Sequence, residues 1–159
     1  MSETANVLIV GVGGQGVLKA SEVLAAVLVG CGYDVKQSEV HGMSQRGGSV
    51  VSEVRYGARV HSPLAPWGEA DYVVALNADE GRRAAPRLRP GSGRLVDVPP
   101  ELERELADPR SRNMAALGRL ARHLDVQPES WHDAIRRALP PKTHEANIAA
   151  FEAGRRLVS

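Results

Sequence analysis

The sequence predicts an α/β fold, a three-layer, Rossmann-like domain with a mostly parallel sheet, a β-hairpin insertion and C-terminal helices. The continuous apolar run "NVLIV" at 6–10 is typical of a strand buried on both faces. The glycine-rich "GVGGQG" at 11–16 follows at once and leads into a stretch rich in Ala, Leu and Val. Apolar residues recur at helical spacing through the last third of the chain. With 159 residues, we treat 1–159 as a single domain.

The first half of the chain predicts a strand, a turn, a helix and a second strand. The apolar stretch 17–30 ends on a glycine, as buried helices commonly do. The second strand is "YDVKQSEV" at 33–40, so the start forms a βαβ unit with parallel strands and a right-handed crossover. Apolar and polar residues then alternate over 49–63, which predicts a hairpin closed at Tyr56 to Ala58.

The second half of the chain predicts two more strands and a group of helices. The strands come from the apolar runs "DYVVALN" at 71–77 and "GRLVDV" at 93–98, with a helix between them. Apolar residues at helical spacing then predict one helix before Pro128 and another that begins at Pro128. A last helix carries Phe151.

Composition and charge argue against several functional classes. The chain has 20 Lys and Arg against 19 Asp and Glu, so it lacks the basic excess of nucleic-acid or anionic-membrane binders. The single cysteine, Cys31, cannot ligate a zinc ion or an iron–sulfur cluster by itself, and we expect it to be a small buried residue. The five histidines lack ligand-like spacing, so no metal site is predicted. No signal peptide or bilayer-spanning run is evident, which predicts a cytoplasmic protein.

The glycine turn at 11–16 predicts an anion-binding site. It fits G-x-G-x-x-G between a strand and a helix, where glycines allow close backbone approach and the helix N-terminus offers free N–H groups. A tight turn that binds nothing would use the same residues, so the motif alone leaves both interpretations open. The candidate cofactor-binding residues are Gly11, Gly13, Gly14, Gln15 and Gly16.

The second strand meets the requirements of a dinucleotide site only incompletely. Such a site needs an acidic residue at the end of that strand for a ribose hydroxyl. Here Asp34 comes early, Lys36 is basic and Glu39 comes late. A stand-alone NAD(P)-binding oxidoreductase stays open as the alternative function. Two further alternatives are an adenylating enzyme, although the paired CxxC zinc ligands of many such enzymes are missing, and a nucleotide-sensing regulatory module.

The loop after the second strand is the other candidate site. It should lie at the carboxyl end of a strand, where ligand crevices form in doubly wound sheets. His41 can act as an acid or a base, and Arg46 can hold a carboxylate or a phosphate. No neighbouring nucleophile completes a catalytic set, so we predict a shared site or interface, with His41, Gln45 and Arg46 as candidates for substrate contact. The residues of this shared site are Ser38, Glu39, His41, Gly42, Met43, Ser44, Gln45, Arg46, Gly47 and Gly48.

Taken together, the two motifs resemble a known family. The sequence "VGGQG" at 12–16, followed by "SEVHGMSQRGGSVVSEVR" at 38–55, is similar to the gamma subunit or domain of 2-oxoacid:ferredoxin oxidoreductases, particularly the indolepyruvate type. The likeness continues in "SPLAPWGEADYVVALNADE" at 62–80, "RNMAALGRLAR" at 112–122 and "NIAAFEAGRR" at 147–156. It therefore extends over most of the chain.

This resemblance implies membership of an enzyme complex. The complex would oxidatively decarboxylate a 2-oxoacid, such as indolepyruvate or pyruvate, to an acyl-CoA and reduce ferredoxin. Thiamine diphosphate and the iron–sulfur clusters would belong to thiamine-binding and ferredoxin-like partner subunits. This chain, inactive alone and with no cofactor of its own, would complete the active site on the coenzyme A side. A homodimer is left open, and the short segment after Pro90 implies a reduced sheet edge.

Overall fold

A computed structural model describes residues 4–41 and 48–158. They form a mixed sheet of five strands in the order β2-β3-β1-β4-β5. β1 is parallel to β4, β4 is parallel to β5, and β3 runs antiparallel to both β1 and β2. The α/β class is therefore confirmed. The sheet is mixed, because two of its four strand pairings are parallel and two are antiparallel. The strands are β1 Ala5–Val12, β2 Asp34–His41, β3 Ser49–Gly57, β4 Tyr72–Ala75 and β5 Arg94–Asp97.

Helices cover the two faces of the sheet unequally. Their bounds are α1 Val17–Gly30, α2 Ala78–Ala84, α3 Pro100–Glu103, α4 Arg112–Ala121, α5 Pro128–Ala138 and α6 His144–Arg156. The larger layer contains α1, α4, α5 and α6, and its core includes Trp131 and Phe151, whose ring centroids lie 5.4 Å apart. α2 and residues 58–71 form the thinner layer on the opposite face. No helix in the described part of the chain is both long and apolar enough to cross a membrane.

β1 is buried on both faces, as its continuous apolar run predicts. Val7 and Ile9 belong to the core under the larger helical layer. Leu8 and Val10 belong to the smaller core on the other face, and all four side chains are fully buried. Alternation along a strand explains this division, since successive side chains point to opposite faces.

The hairpin predicted at Tyr56 to Ala58 is wrong. The whole of β2 instead pairs with β3, from Asp34 opposite Gly57 to His41 opposite Val50. β1 and β2 are parallel as predicted, but β3 lies between them. The antiparallel pair is therefore β2–β3, and the loop predicted as a site connects its two strands.

Side-chain hydrogen bonds explain why the chain leaves the sheet after β3. The Arg55 guanidinium donates to the carbonyl oxygens of Ser62 and Leu64, both at 2.8 Å. The Ala65 amide donates to the buried Glu53 carboxylate at 3.2 Å. These bonds satisfy backbone groups of 62–65 across the sheet face, in place of a strand ladder.

The expectation that Cys31 is buried is also wrong. The helix α1 ends at Gly30 as predicted, and Cys31 follows it as an exposed residue. Gly32, with φ of +92°, then turns the chain towards β2. Cys31 therefore belongs to the solvent-facing turn and not to the apolar face of the helix.

Two glycines allow a close crossing of α4 and α6. A Cβ added at Gly118 would overlap the carbonyl oxygen of Phe151, and one added at Gly154 would overlap that of Ala115. At this crossing, the glycine of each helix therefore packs directly against the backbone of the other helix. Larger residues at either position would force the helices apart.

A polar contact joins α5 to α6 beside this crossing. The Glu152 carboxylate lies 2.7 Å from His132 Nε2 and accepts from Arg155 at 2.9 Å. Burial tends to raise the pKa of Glu152, but the hydrogen bonds with Arg155 and His132 bring the pKa below its usual value. The ionised form of this carboxylate is therefore favoured in the folded protein.

Candidate functional site at the glycine turn

The glycine turn lies at the carboxyl end of β1 and leads into α1. Gly14 and Gly16 adopt φ values of +91° and +82°, which side-chain-bearing residues rarely adopt. At Gly11 an added Cβ would lie 2.9 Å from Gln15 Oε1 and 3.2 Å from the Leu76 side chain. The turn therefore needs glycine for backbone conformation at two positions and for close packing at a third.

The Gln15 side chain ties the ends of two strands together. Its Oε1 accepts from the Val12 amide at 2.8 Å, and its Nε2 donates to the Leu76 carbonyl oxygen at 3.0 Å. Val12 is the last residue of β1, and Leu76 directly follows β4. The structure thus gives Gln15 a positioning role, while cofactor binding by this residue stays a prediction.

The first residues of α4 brace the turn from behind. Asn113 is 6% exposed, and its Nδ2 donates to the Gly16 carbonyl oxygen at 3.1 Å. A Cβ at Gly16 would overlap that same amide nitrogen. Arg112 donates to the Leu76 carbonyl oxygen at 3.0 Å and pairs with Glu103.

Sequence reasoning did not identify Arg112 and Asn113 as site residues. The available signal is their position, because the two polar residues stand immediately before the buried run 114–118. Polar side chains at the start of an otherwise apolar helix commonly form hydrogen bonds with backbone groups of the helix N-terminus or of a neighbouring segment. The neighbour here lies about a hundred residues away in sequence, and only the packing of α4 against α1 identifies it.

The two predicted motifs meet in one cleft of about 270 Å³. His41, the last residue of β2, contributes to the wall opposite the glycines. The Gly13 amide also donates to the Gly48 carbonyl oxygen at 3.0 Å, so both described ends of the predicted loop lie at the turn. The lining residues are Val12, Gly13, Gly14, Gly16, Val17, Leu18, Lys19, His41 and Val50.

Other residues of the predicted shared site lie elsewhere. Ser38 faces the opposite side of the sheet, where its hydroxyl lies 3.4 Å from the Pro63 carbonyl oxygen. Glu39 is exposed on the edge strand and does not line the cleft. The remaining predicted residues, Gly42, Met43, Ser44, Gln45, Arg46 and Gly47, lie outside the described residues.

The electrostatic character of the cleft favours an anion. The N-terminus of α1 opens into it, and the described residues provide no acceptor for the Gly14 and Gly16 amides. Lys19 brings a positive charge, although its ammonium group also lies 3.4 Å from Glu22. No carboxylate stands among the lining residues that the structure describes. Free amides, a helix N-terminus and one cation are together a suitable environment for a phosphate group.

The sheet order disfavours a dinucleotide bound in the usual way. β3 separates β2 from β1, so the end of β2 lies two strand spacings, roughly 10 Å, from the turn. Asp34 is at the opposite end of β2, where it accepts from the Val60 amide at 2.8 Å, and this hydrogen bond lowers its pKa. Neither Asp34 nor Glu39 is placed to hold a ribose beside the glycine turn.

Comparison with known proteins gives consistent matches along the chain. Residues 6–157 match the family model described as pyruvate ferredoxin/flavodoxin oxidoreductase. The indolepyruvate oxidoreductase subunit IorB of Thermococcus kodakarensis is 30% identical, over 94% of this chain and 93% of that protein. The 2-oxoglutarate synthase subunit KorC of Methanothermobacter marburgensis is 32% identical, over 94% of each.

Solved structures show the same fold. The keto/oxoacid ferredoxin oxidoreductase gamma subunit from Geobacter sulfurreducens matches with a TM-score of 0.73 and 22% identity, over 94% of this chain and 95% of that one. A 2-oxoglutarate:ferredoxin oxidoreductase from Magnetococcus marinus, with 2-oxoglutarate, coenzyme A and succinyl-CoA bound, matches with a TM-score of 0.81 and 18% identity. That match covers 96% of this chain and 30% of the Magnetococcus chain.

Proposed function

Because this chain belongs to the pyruvate ferredoxin/flavodoxin oxidoreductase family, we propose that it is a subunit of a 2-oxoacid:ferredoxin oxidoreductase complex. The complex oxidatively decarboxylates a 2-oxoacid, transfers the acyl group to coenzyme A and reduces ferredoxin. The relatives named as indolepyruvate oxidoreductase subunits support indolepyruvate as the first substrate to test. 2-Oxoglutarate, named for other relatives, is the second.

In this proposal the chain shares the work with partner subunits. A cysteine-ligated iron–sulfur cluster needs several thiolates, and the whole sequence contains one cysteine. The clusters therefore belong to partner chains. We assign thiamine diphosphate, which supplies the carbanion chemistry, to a partner chain as well. The complex acts in the cytoplasm, and this chain has no turnover by itself.

The observation that carries the proposal is the shared cleft between the glycine turn and His41. Coenzyme A is polyanionic, and the α1 N-terminus with Lys19 supplies donors and positive charge to hold a phosphate. The described ends of the connection between β2 and β3, His41 and Gly48, lie beside it. The chain accordingly binds and orients coenzyme A at an edge where a partner can complete the active site.

Coexpression with the thiamine-bearing partner tests this proposal. Electron transfer to ferredoxin or a viologen dye is measured without oxygen, with indolepyruvate and other 2-oxoacids. We expect turnover that requires both chains and saturates with coenzyme A. Full turnover by the isolated chain would overturn the proposal, and tight NAD(P) binding to the isolated chain would favour the stand-alone oxidoreductase.

Charge substitutions locate the coenzyme A contact. We expect Lys19→Gln to raise the KM for coenzyme A by about three- to tenfold, equivalent to about 0.7–1.4 kcal/mol, and to leave the KM for the 2-oxoacid unchanged. Lys36→Gln is the matched control, because Lys36 lies near the start of β2, 3.4 Å from Asp34 and away from the cleft. Equal coenzyme A dependence in both variants would remove Lys19 from the site.

A further inference from the structure

A second cleft, of about 300 Å³, lies at the opposite end of the sheet from the glycine turn. It is bounded by the start of β1 and β4, the end of β3 and the turn that follows α4. The chain has three tyrosines, and all of them reach this cleft although they lie far apart in sequence. The aromatic and acidic lining residues are Tyr33, Tyr56, Tyr72, His123, Asp71 and Asp125.

The aromatic rings form two pairs in this tyrosine cleft. Tyr33 and Tyr56 make an edge-to-face pair with ring centroids 5.1 Å apart and an interplanar angle of 68°. Tyr72 and His123 lie more nearly parallel, at 5.6 Å and 31°. Aromatic faces carry partial negative charge, so clustered rings around a cavity attract a cation.

Tyr56 contributes its phenol ring and hydroxyl to the lining of the tyrosine cleft. The residue as a whole is 9% exposed. Burial, then the neighbouring Tyr72 and Tyr33, raises the pKa of Tyr56 well above its ordinary value, so the group stays a neutral phenol. As a neutral phenol, Tyr56 can donate a hydrogen bond.

Asp125 is the carboxylate in the tyrosine cleft that has no ion pair among the described residues. Asp71 accepts from the Asn6 amide at 2.8 Å and is paired with Arg89 at 3.3 Å, which balances its charge. Asp125 makes no ion pair with any residue that the structure describes. No lysine or arginine is among the described lining residues, although Arg94, Arg119 and Arg122 lie close enough to His123 to act on its charge.

His123 adds no compensating charge at neutral pH. Burial, followed by the nearby Arg94, Arg122 and Arg119, lowers the pKa of its imidazole. The ring is therefore neutral and contributes its aromatic face. The cleft thus combines two aromatic pairs, the phenol hydroxyl of Tyr56 and the carboxylate of Asp125.

We propose that the tyrosine cleft binds a small organic monocation of the alkylammonium class. The aromatic faces attract the positive charge, Asp125 supplies the opposite charge, and the side chains of Leu28, Leu124 and Val126 provide apolar contacts for the alkyl groups. This site is separate from the coenzyme A cleft and does not depend on the proposed function. It would give the subunit a second ligand at the far end of its sheet.

Titration of the isolated chain with choline tests the proposal, followed by NMR of the tyrosine and histidine rings. The neutral isostere 3,3-dimethyl-1-butanol has the same shape without the charge. We expect saturable shifts of the His123 and Tyr72 ring signals with choline, and at least about fivefold weaker binding of the isostere, as a cation–aromatic contribution of about 1 kcal/mol predicts. Equal affinities for the two probes, or no saturable shift, would overturn the proposal.

Three variants assign the binding to this cleft. Asp125→Asn should weaken choline about fivefold, while Asp133→Asn, an exposed acid on α5 outside the cleft, should leave it unchanged. Tyr33→Leu removes one aromatic face from the half-exposed rim, so it should weaken choline about threefold and leave the isostere unchanged. Unchanged choline binding in both cleft variants would refute the assignment.

Discussion

Replacing Gly14 by alanine separates the proposed binding role of the glycine turn from its folding role. Gly14 has φ of +91° and lines the cleft that we propose as the coenzyme A site. No protein atom lies within 4 Å of a Cβ added there. A methyl group at this position therefore strains the backbone without a clash inside the protein, and it occupies space where a phosphate would approach the turn.

The cost to folding can be worked out from the backbone. The left-handed conformation costs a residue with a side chain about 1–2 kcal/mol, and restriction of the unfolded chain returns about 0.4–1 kcal/mol. The net loss is about 1 kcal/mol, or about 2–4 °C in Tm for a chain of this size. Gly91 has φ of +81° and equally open space around its Cβ, but it lies in a turn far from the cleft. Gly91→Ala therefore causes the same backbone strain but places no methyl group in the cleft.

Steady-state kinetics of the reconstituted complex distinguish the two variants. We expect Gly14→Ala to raise the KM for coenzyme A by about tenfold, equivalent to about 1.4 kcal/mol, and Gly91→Ala to leave it unchanged. Both variants should show the same small fall in Tm. An unchanged KM for Gly14→Ala, or an equal rise in Gly91→Ala, would refute the argument that ligand approaches this backbone.

Three further predictions concern the support of the site and the packing of the helices. Asn113→Ala removes the hydrogen bond to the Gly16 carbonyl oxygen, so it should lower the free energy of unfolding by about 1 kcal/mol and raise the KM for coenzyme A. An unchanged KM would limit the role of Asn113 to stability. Gly118→Ala should cost about 3 kcal/mol in urea unfolding, because its Cβ overlaps the backbone of α6, whereas Gly30→Ala, with open space, should not destabilise the chain. Glu152→Gln should destabilise the chain at pH 7, where the ionised carboxylate holds its two hydrogen-bond partners. The folded pKa of Glu152 is lowered, so its contribution to the free energy of unfolding is present above the unfolded pKa of about 4.3 and is lost as pH falls through the folded pKa. The stabilities of the wild type and the variant should therefore converge in acid. A constant difference between them down to pH 3 would contradict this.

The elements that were predicted well are those whose signals are local. β1 and α1 follow from a continuous apolar run, a glycine turn and a terminal glycine. The partner of β3 could not be predicted in the same way. The alternating side chains of β3 are compatible with more than one antiparallel partner strand. The strand that pairs with β3 is β2, which precedes it in sequence across a glycine-containing loop. Only the complete sheet shows that β3 separates β1 from β2.

The candidate site was predicted only in part for the same reason. The glycine turn and His41 carry recognisable chemistry at defined places on strands, and the structure brings them into one cleft. Asn113 acts through the packing of α4 against α1, which no local pattern reveals. The roles of Gln45 and Arg46 stay predictions from the sequence, because both lie outside the described residues.

The sequence by itself determined the α/β class, the glycine turn and the family, because apolar periodicity, turn glycines and a long motif are properties of neighbouring residues. The tertiary structure decided which strands are adjacent, that Gln15 and Asn113 support the turn, and that Tyr33, Tyr56 and Tyr72 line one cleft. Those facts depend on contacts between residues far apart in the chain, and such contacts form only when the helices pack onto the sheet.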